Sequence, residues 1–203
     1  MDREQLPTLI QEWIDNLWGG EDKHAYYYLT DQRAIEPHFI EKYHLGWTAN
    51  ADHFRDCISI PYLTGTGKLR GVRFRRLEGS PKYDHIKGEK LHLFNVSSVK
   101  HNRVYLTEGE FDAIILEQLG FPAVGIPGVA TFKDEWKWLF IGNDVRIVFD
   151  GDKAGQDAAR RVGHTLKRVV EDLEIVEMPT DHDVTSLFKA EPEILRELLL
   201  AYE

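Results

Sequence analysis

The second half of this 203-residue chain predicts an α/β fold with a mainly parallel sheet flanked by helices, and the first half a small α+β subdomain, helical and antiparallel β. Three observations carry this. From Val104 onward, short apolar runs alternate with helical patterns. Acidic turns follow three of those runs, at T-E-G-E-F-D-A (Thr107 to Ala113), F-D-G-D-K-A-G (Phe149 to Gly155) and P-T-D-H-D-V-T-S-L-F (Pro179 to Phe188). Upstream, the apolar period changes from helical to two, as where helices are followed by a hairpin. The domain boundary is placed in the polar stretch Ser97 to Arg103, dividing the chain into residues 1–100 and 101–203.

Pro7 suits a first helical turn, and Leu9, Ile10, Trp13, Ile14 and Leu17 recur at helical spacing until Gly19 and Gly20 stop the run. Trp13 and Trp18 read as core or subunit interface rather than base-stacking groups. Tyr26 to Leu29 and Pro37 to Tyr43 read as two shorter helices, closing at Leu45-Gly46-Trp47. From Ile58, I-S-I-P-Y-L, the turn Gly65 to Gly67, and K-L-R-G-V-R-F-R-R form a β-hairpin. Its polar side gathers some of Lys68, Arg70, Arg73, Arg75 and Arg76.

In the second half, strands are expected at Val104 to Leu106, Ala123 to Ile126, Val145 to Phe149 and Ile175 to Met178, joined right-handedly through helices. Those helices are Phe111 to Leu119, Asp134 to Phe140 and Ala154 to Leu173, with further helix to the end. A stripe of Phe111, Ile114, Ile115 and Leu119 faces the sheet, leaving Asp112 one turn beyond Glu108 and off the stripe.

Composition bounds the setting. Cys57 is the single cysteine, so no intramolecular disulfide and no Cys-rich zinc site are expected. No apolar run reaches the roughly 20 residues that span a bilayer, and the acidic N-terminus does not read as a signal peptide. The expectation is a cytoplasmic protein with no membrane partner. The net charge is −9, unevenly spread: residues 55–103 carry eleven Lys and Arg against four Asp and Glu. An acidic scaffold with one basic segment suits a polyanion, although lysine and arginine on a hairpin edge also serve to block aggregation.

A lone D-G-D is most often a turn, and a Glu after a strand is often placed by the helix dipole. Repetition at the same end of successive strands favours a site instead, because open α/β sheets hold ligands at the carboxyl ends of their strands. Glu108, Asp150 and Asp152 would converge there, and carboxylates so placed repel unless a cation stands among them. Oxygen donors select a hard divalent ion, Mg²⁺ or Mn²⁺.

E-G-E-F-D-A, followed 42 residues after Glu108 by D-G-D-K-A-G-x-x-A-A, resembles the Toprim domain shared by DnaG-type primases, topoisomerases and some nucleases. Upstream, Y-L-T-D-Q-R-A-I, I-E-K-Y-H-L-G-W, F-R-D-C-I-S-I-P, G-K-L-R-G-V-R-F-R, P-K-Y and K-G-E-K-L resemble the RNA-polymerase core of those primases. The likeness runs from about residue 25 to 190, and Glu110 in E-G-E resembles phage primase-helicase proteins. It implies that Glu108 is a general base and metal neighbour, that Asp112 is its companion, and that Asp150 and Asp152 bind metal. Asp183 matches the acid after the last strand. Arg75 and Lys82, with Arg55 and Arg73, match basic residues that contact template or nucleotide phosphate. One departure is Thr185, where the family often has a further Asp, so that side of the site binds metal more weakly or borrows Asp181.

The resemblance implies a phage-type primase core: an enzyme, a nucleotidyltransferase that makes short RNA primers on single-stranded DNA from ribonucleoside triphosphates with two or more Mg²⁺ or Mn²⁺ ions and no zinc. Family members carry a zinc module and a helicase-binding domain, so a replicative helicase or a separate zinc-bearing primase chain is the expected partner. Two alternatives stay open: a Toprim nuclease using the same acids on water, and a non-catalytic module binding single strands through its basic residues and Tyr62 and Phe74.

Overall fold

Pro7 opens and Gly19 closes the first helix, α1 (Leu6–Gly19), in a computed structural model that describes residues 3–202. The chain forms two compact units that divide between His92 and Leu93.

In the first unit α1 buries Leu6, Ile10, Trp13 and Leu17. Short helices follow, α2 (His24–Tyr27), which runs into a π turn over Tyr28–Gln32, and α3 (Pro37–Lys42). Four strands, β1 (Gly46–Trp47), β2 (Cys57–Leu63), β3 (Leu69–Arg76) and β4 (Tyr83–His85), make an antiparallel sheet in that order. The expected hairpin is β2–β3. Its first strand does not alternate as its sequence suggested: Cys57 through Tyr62 are all buried, so both faces of β2 are covered. Trp13 from α1 meets Phe74 of β3 edge-on at 5.5 Å, and Phe54 stacks on the same ring at 3.9 Å. Truncating Phe74, fully buried, should therefore cost about 3–5 kcal/mol.

The second unit is the predicted α/β layer. Its elements are β5 (Arg103–Thr107), α4 (Glu110–Gln118), β6 (Ala123–Gly125), β7 (Asp144–Val148), α5 (Lys153–Leu166), β8 (Asp172–Ile175), α6 (Val184–Ala190) and α7 (Pro192–Leu200). The four strands are parallel, in the order β6-β5-β7-β8. Tyr105, Leu106, Ile147 and Val148 are buried, as strands covered on both faces require.

Several boundaries differ from the expectation. Asp134–Phe140 is 3₁₀ rather than α-helix. The α5 helix ends at Leu166, not Leu173, because Val169 and Val170 turn back to the Leu166 carbonyl and Leu173 pairs with Val145 in β8. The last strand accordingly precedes the expected Ile175 to Met178, and the third acidic turn follows an extended segment in which the Val176 amide still donates to Ile147. Residues 93–100, assigned to the N-terminal subdomain above, belong with the second unit. Phe94 bridges to Gly125, and the Asn95 amide donates to Glu117 Oε1 and the Ala123 carbonyl, both at 2.9 Å. Among the described residues no helix is long and apolar enough to cross a membrane.

Candidate active site

Thr107 at the end of β5 is in register with Val148 at the end of β7, and the two strands are adjacent and parallel. Strands so paired lie about 4.8 Å apart, so Glu108 and Asp150 leave the sheet side by side. The backbone N–H of Asp150 donates to Glu108 Oε1 at 3.0 Å, which orients that carboxylate across the strand ends. The glycines of F-D-G-D-K-A-G allow the segments to close in. A Cβ on Gly155 would collide with the Asp150 carbonyl and stand 2.7 Å from Glu108 Oε1, and one on Gly151 would collide with the Pro179 carbonyl.

The remaining predicted acids stand at helix starts. Asp152 is the N-cap of α5, accepting from the Gly155 N–H at 2.7 Å. Asp183 is the N-cap of α6, accepting from the Ser186 N–H at 2.6 Å while Ser186 Oγ accepts from the Asp183 N–H at 2.9 Å. Asp112, in the first turn of α4, accepts a hydrogen bond from Thr185 Oγ1 at 2.9 Å. Asp181 stands exposed in the turn before α6 and is not among the carboxylates acting on Asp150 or Glu108.

These groups share one electrostatic field. Burial, then the charges of Glu108, Asp112, Asp183 and Asp152, push the Asp150 carboxyl up to about 8. Burial also raises Glu108, against the Asp150 N–H that favours its ionised form, with Asp152 and Asp183 adding to the rise. Five carboxylates therefore stand near enough to inhibit one another's ionisation, and either protons or a cation must relieve them. Among the described residues no three His, Cys, Asp or Glu side chains are already drawn up to hold a metal ion, since two of the five are turned to their helix caps. The donor set, all anionic oxygen, is nevertheless the type that hard divalent cations take.

The predicted basic residues belong to the first unit. Arg73 and Arg75 project from the same face of β3, and both guanidinium groups lie over the ring of Tyr83 on β4, at 4.4 and 4.8 Å. Arg75 Nε also donates to the Tyr28 hydroxyl at 2.9 Å. Arg33 Nε donates to that same oxygen, again at 2.9 Å. The contacts of Arg33, Tyr28 and Tyr83 carry no signal in the sequence, because Tyr28 and Arg33 meet through a π turn and Tyr83 comes from another strand. Arg76 faces the other way and pairs with Asp84 at 2.9 Å. Arg55 and Lys82 are exposed in turns and join neither tyrosine. Phe74 and Tyr62, suggested as stacking surfaces, are 0% and 4% exposed and take no base. Tyr83, half-buried beneath the two arginines, is more accessible than either Phe74 or Tyr62.

A family model described as Toprim-like matches residues 105–188. Gene 57 protein of Mycobacterium phage D29 is 38% identical over 142 residues, which cover 66% of this chain and 91% of that protein. DNA primase of Escherichia coli strain K12 is 31% identical over 156 residues, 69% of this chain; the match spans only 27% of the bacterial protein. The zinc-binding and RNA polymerase domains of Aquifex aeolicus primase share the fold, with a TM-score of 0.83 at 20% identity over 97% of this chain and 59% of that one.

Proposed function

Because this chain belongs to the family of DnaG-type primase cores built on a Toprim domain, we propose that it joins ribonucleotides on a single-stranded DNA template in a divalent-metal-dependent reaction. The observation that supports this best is the placement of Glu108 and Asp150 at neighbouring parallel strand ends, where the charges of Glu108, Asp112, Asp183 and Asp152 resist ionisation of Asp150. In this reading Glu108, Asp150 and Asp152 hold the cation, with Asp112 and Asp183 at its edge. A bound Mg²⁺ or Mn²⁺ would supply charge neutralisation for the triphosphate and a more acidic primer 3′-hydroxyl.

The chain's own groups do the remainder. Glu108 keeps one oxygen on the Asp150 N–H, and its other oxygen is the acceptor for the proton of the 3′-hydroxyl. Asp152 and Asp183 fix the starts of α5 and α6, so that the segments bearing the acids keep their geometry as charge accumulates. Arg73 and Arg75, displayed over Tyr83, hold phosphates of template or nucleotide.

The test is to incubate the protein with single-stranded DNA, ribonucleoside triphosphates and Mg²⁺ or Mn²⁺. Oligoribonucleotides whose sequence complements the template support primer synthesis. Shortened DNA assigns the same acids to hydrolysis, and salt-sensitive binding without a metal-dependent product reduces the chain to a binding module.

A further inference from the structure

We propose that Thr185 is a positioning residue that holds Asp112 in place of a cation and thereby limits how many divalent ions the acidic site takes. This rests on the metal-dependent reading above. Thr185 lies in the first turn of α6, is 4% exposed, and its hydroxyl donates to Asp112 Oδ1 at 2.9 Å. A hydroxyl has a single proton to give, and here it goes to a carboxylate, the stronger class of hydrogen bond.

The arrangement ties two elements together. Asp183 caps α6, while Thr185, two residues on, reaches from the same helix turn to Asp112 on α4. The α4 and α6 side of the site is thus oriented by a neutral hydroxyl, where a carboxylate at the same position would supply a further anionic ligand. A carboxylate at position 185 would stand about 3 Å from Asp112, where two negative charges coexist only with a proton or a cation between them. A valine would keep the shape of the threonine and lose the proton that orients Asp112.

Mn²⁺ binding to the whole chain, followed by the electron paramagnetic resonance of free Mn²⁺, separates these cases when run beside thermal melts without metal. Thr185→Val should weaken Mn²⁺ binding roughly 10–100-fold without changing the number of ions, the range seen when a residue orienting a ligand is lost. Thr185→Ser, which keeps the hydroxyl, should bind within a few-fold of the parent, a rescue that a purely packing role would not produce. Thr185→Asp should bind one further Mn²⁺ and melt lower in its absence. Unchanged binding by Thr185→Val, or no added ion with Thr185→Asp, overturns the role of Thr185 while leaving the metal site standing. A parent chain that binds no Mn²⁺ overturns the metal-dependent reading and this inference with it.

Discussion

The acidic strand ends of the second unit and the basic face of β3 in the first handle like charge in opposite ways. At the strand ends, carboxylates crowd around Asp150, and their orientation comes from backbone N–H groups and one threonine hydroxyl. On β3 the guanidinium groups of Arg73 and Arg75 spread over an aromatic ring, and Arg75 shares a phenolic oxygen with Arg33. Backbone donors add no counter-charge, so the acidic region stays primed for a cation. Tyrosines orient planar cations without adding a negative charge of their own. Each region gathers like charge on side chains that specific contacts orient, and that combination marks a binding surface better than charge density does.

The largest effect expected comes from breaking the acidic side. Asp150→Ala or Glu108→Ala should lower primer synthesis at least about a hundredfold while the circular dichroism spectrum and melting remain those of a folded chain. Undiminished synthesis by either folded variant removes the assignment.

On the basic side, the contrast lies within one strand. Arg75→Ala should weaken single-stranded DNA binding about tenfold and reduce the slope of log affinity against log salt by about one, because one phosphate contact is lost. Arg76→Ala should leave binding nearly intact and instead cost about 1 kcal/mol of stability, since its partner is Asp84 within the unit. Fluorescence anisotropy over a salt series distinguishes the two. Equal losses in both variants would mean that the charge of β3 matters and its tyrosine framework does not.

The acidic field also has a pH signature. The carboxyl of Asp150 rises from 3.8 to about 8 in the folded, metal-free chain. Between those values the folded state holds a proton that the unfolded state has lost, so stability is full below about 4 and falls as pH rises toward 8. Because the group is only partly shielded from solvent, the loss should be about 1–3 kcal/mol, well below the full linkage value. Saturating Mg²⁺ or Asp150→Asn should each flatten the curve in chemical denaturation. A curve that keeps its slope in Asp150→Asn would place the destabilising charge elsewhere.

These two regions also differ in how far sequence alone could reach them. The acidic turns were legible because their geometry is local: a strand, a turn and a helix start lie within ten residues, and glycines at 151 and 155 mark the close approaches. The convergence of Glu108 and Asp150 was expected, but the order β6-β5-β7-β8 that brings it about was not legible, since strand order is a property of the whole sheet. On the basic side the arginines stood out by composition, yet their contacts come from two other segments, the turn bearing Tyr28 and Arg33 and the strand bearing Tyr83. The end of α5 was misread for a different reason. Val169 and Leu173 continue the apolar period of the helix, but the edge of the sheet captures Leu173 and tertiary pairing prevails over periodicity.

The smallest expected effect separates the two units by pH alone. His24 in the first unit is clasped between Asp22, 2.7 Å from Nδ1, and Asp56, 2.7 Å from Nε2. Partial burial works against its protonation, but the hydrogen bonds and charges of the two carboxylates prevail and raise it above 6.5. Its stabilisation is therefore complete below 6.5 and lost as pH rises through the raised value, the same direction as for Asp150 but in a window that opens only at 6.5. With both carboxylates and the imidazole largely exposed, the contribution should stay under about 1 kcal/mol. In the Asp150→Asn background, where the larger slope is gone, adding His24→Ala should remove the residual loss of stability above pH 6.5, and Mg²⁺ should have no influence on it. A residual slope that disappears with Mg²⁺ but persists without His24 would assign it to the remaining carboxylates of the acidic site.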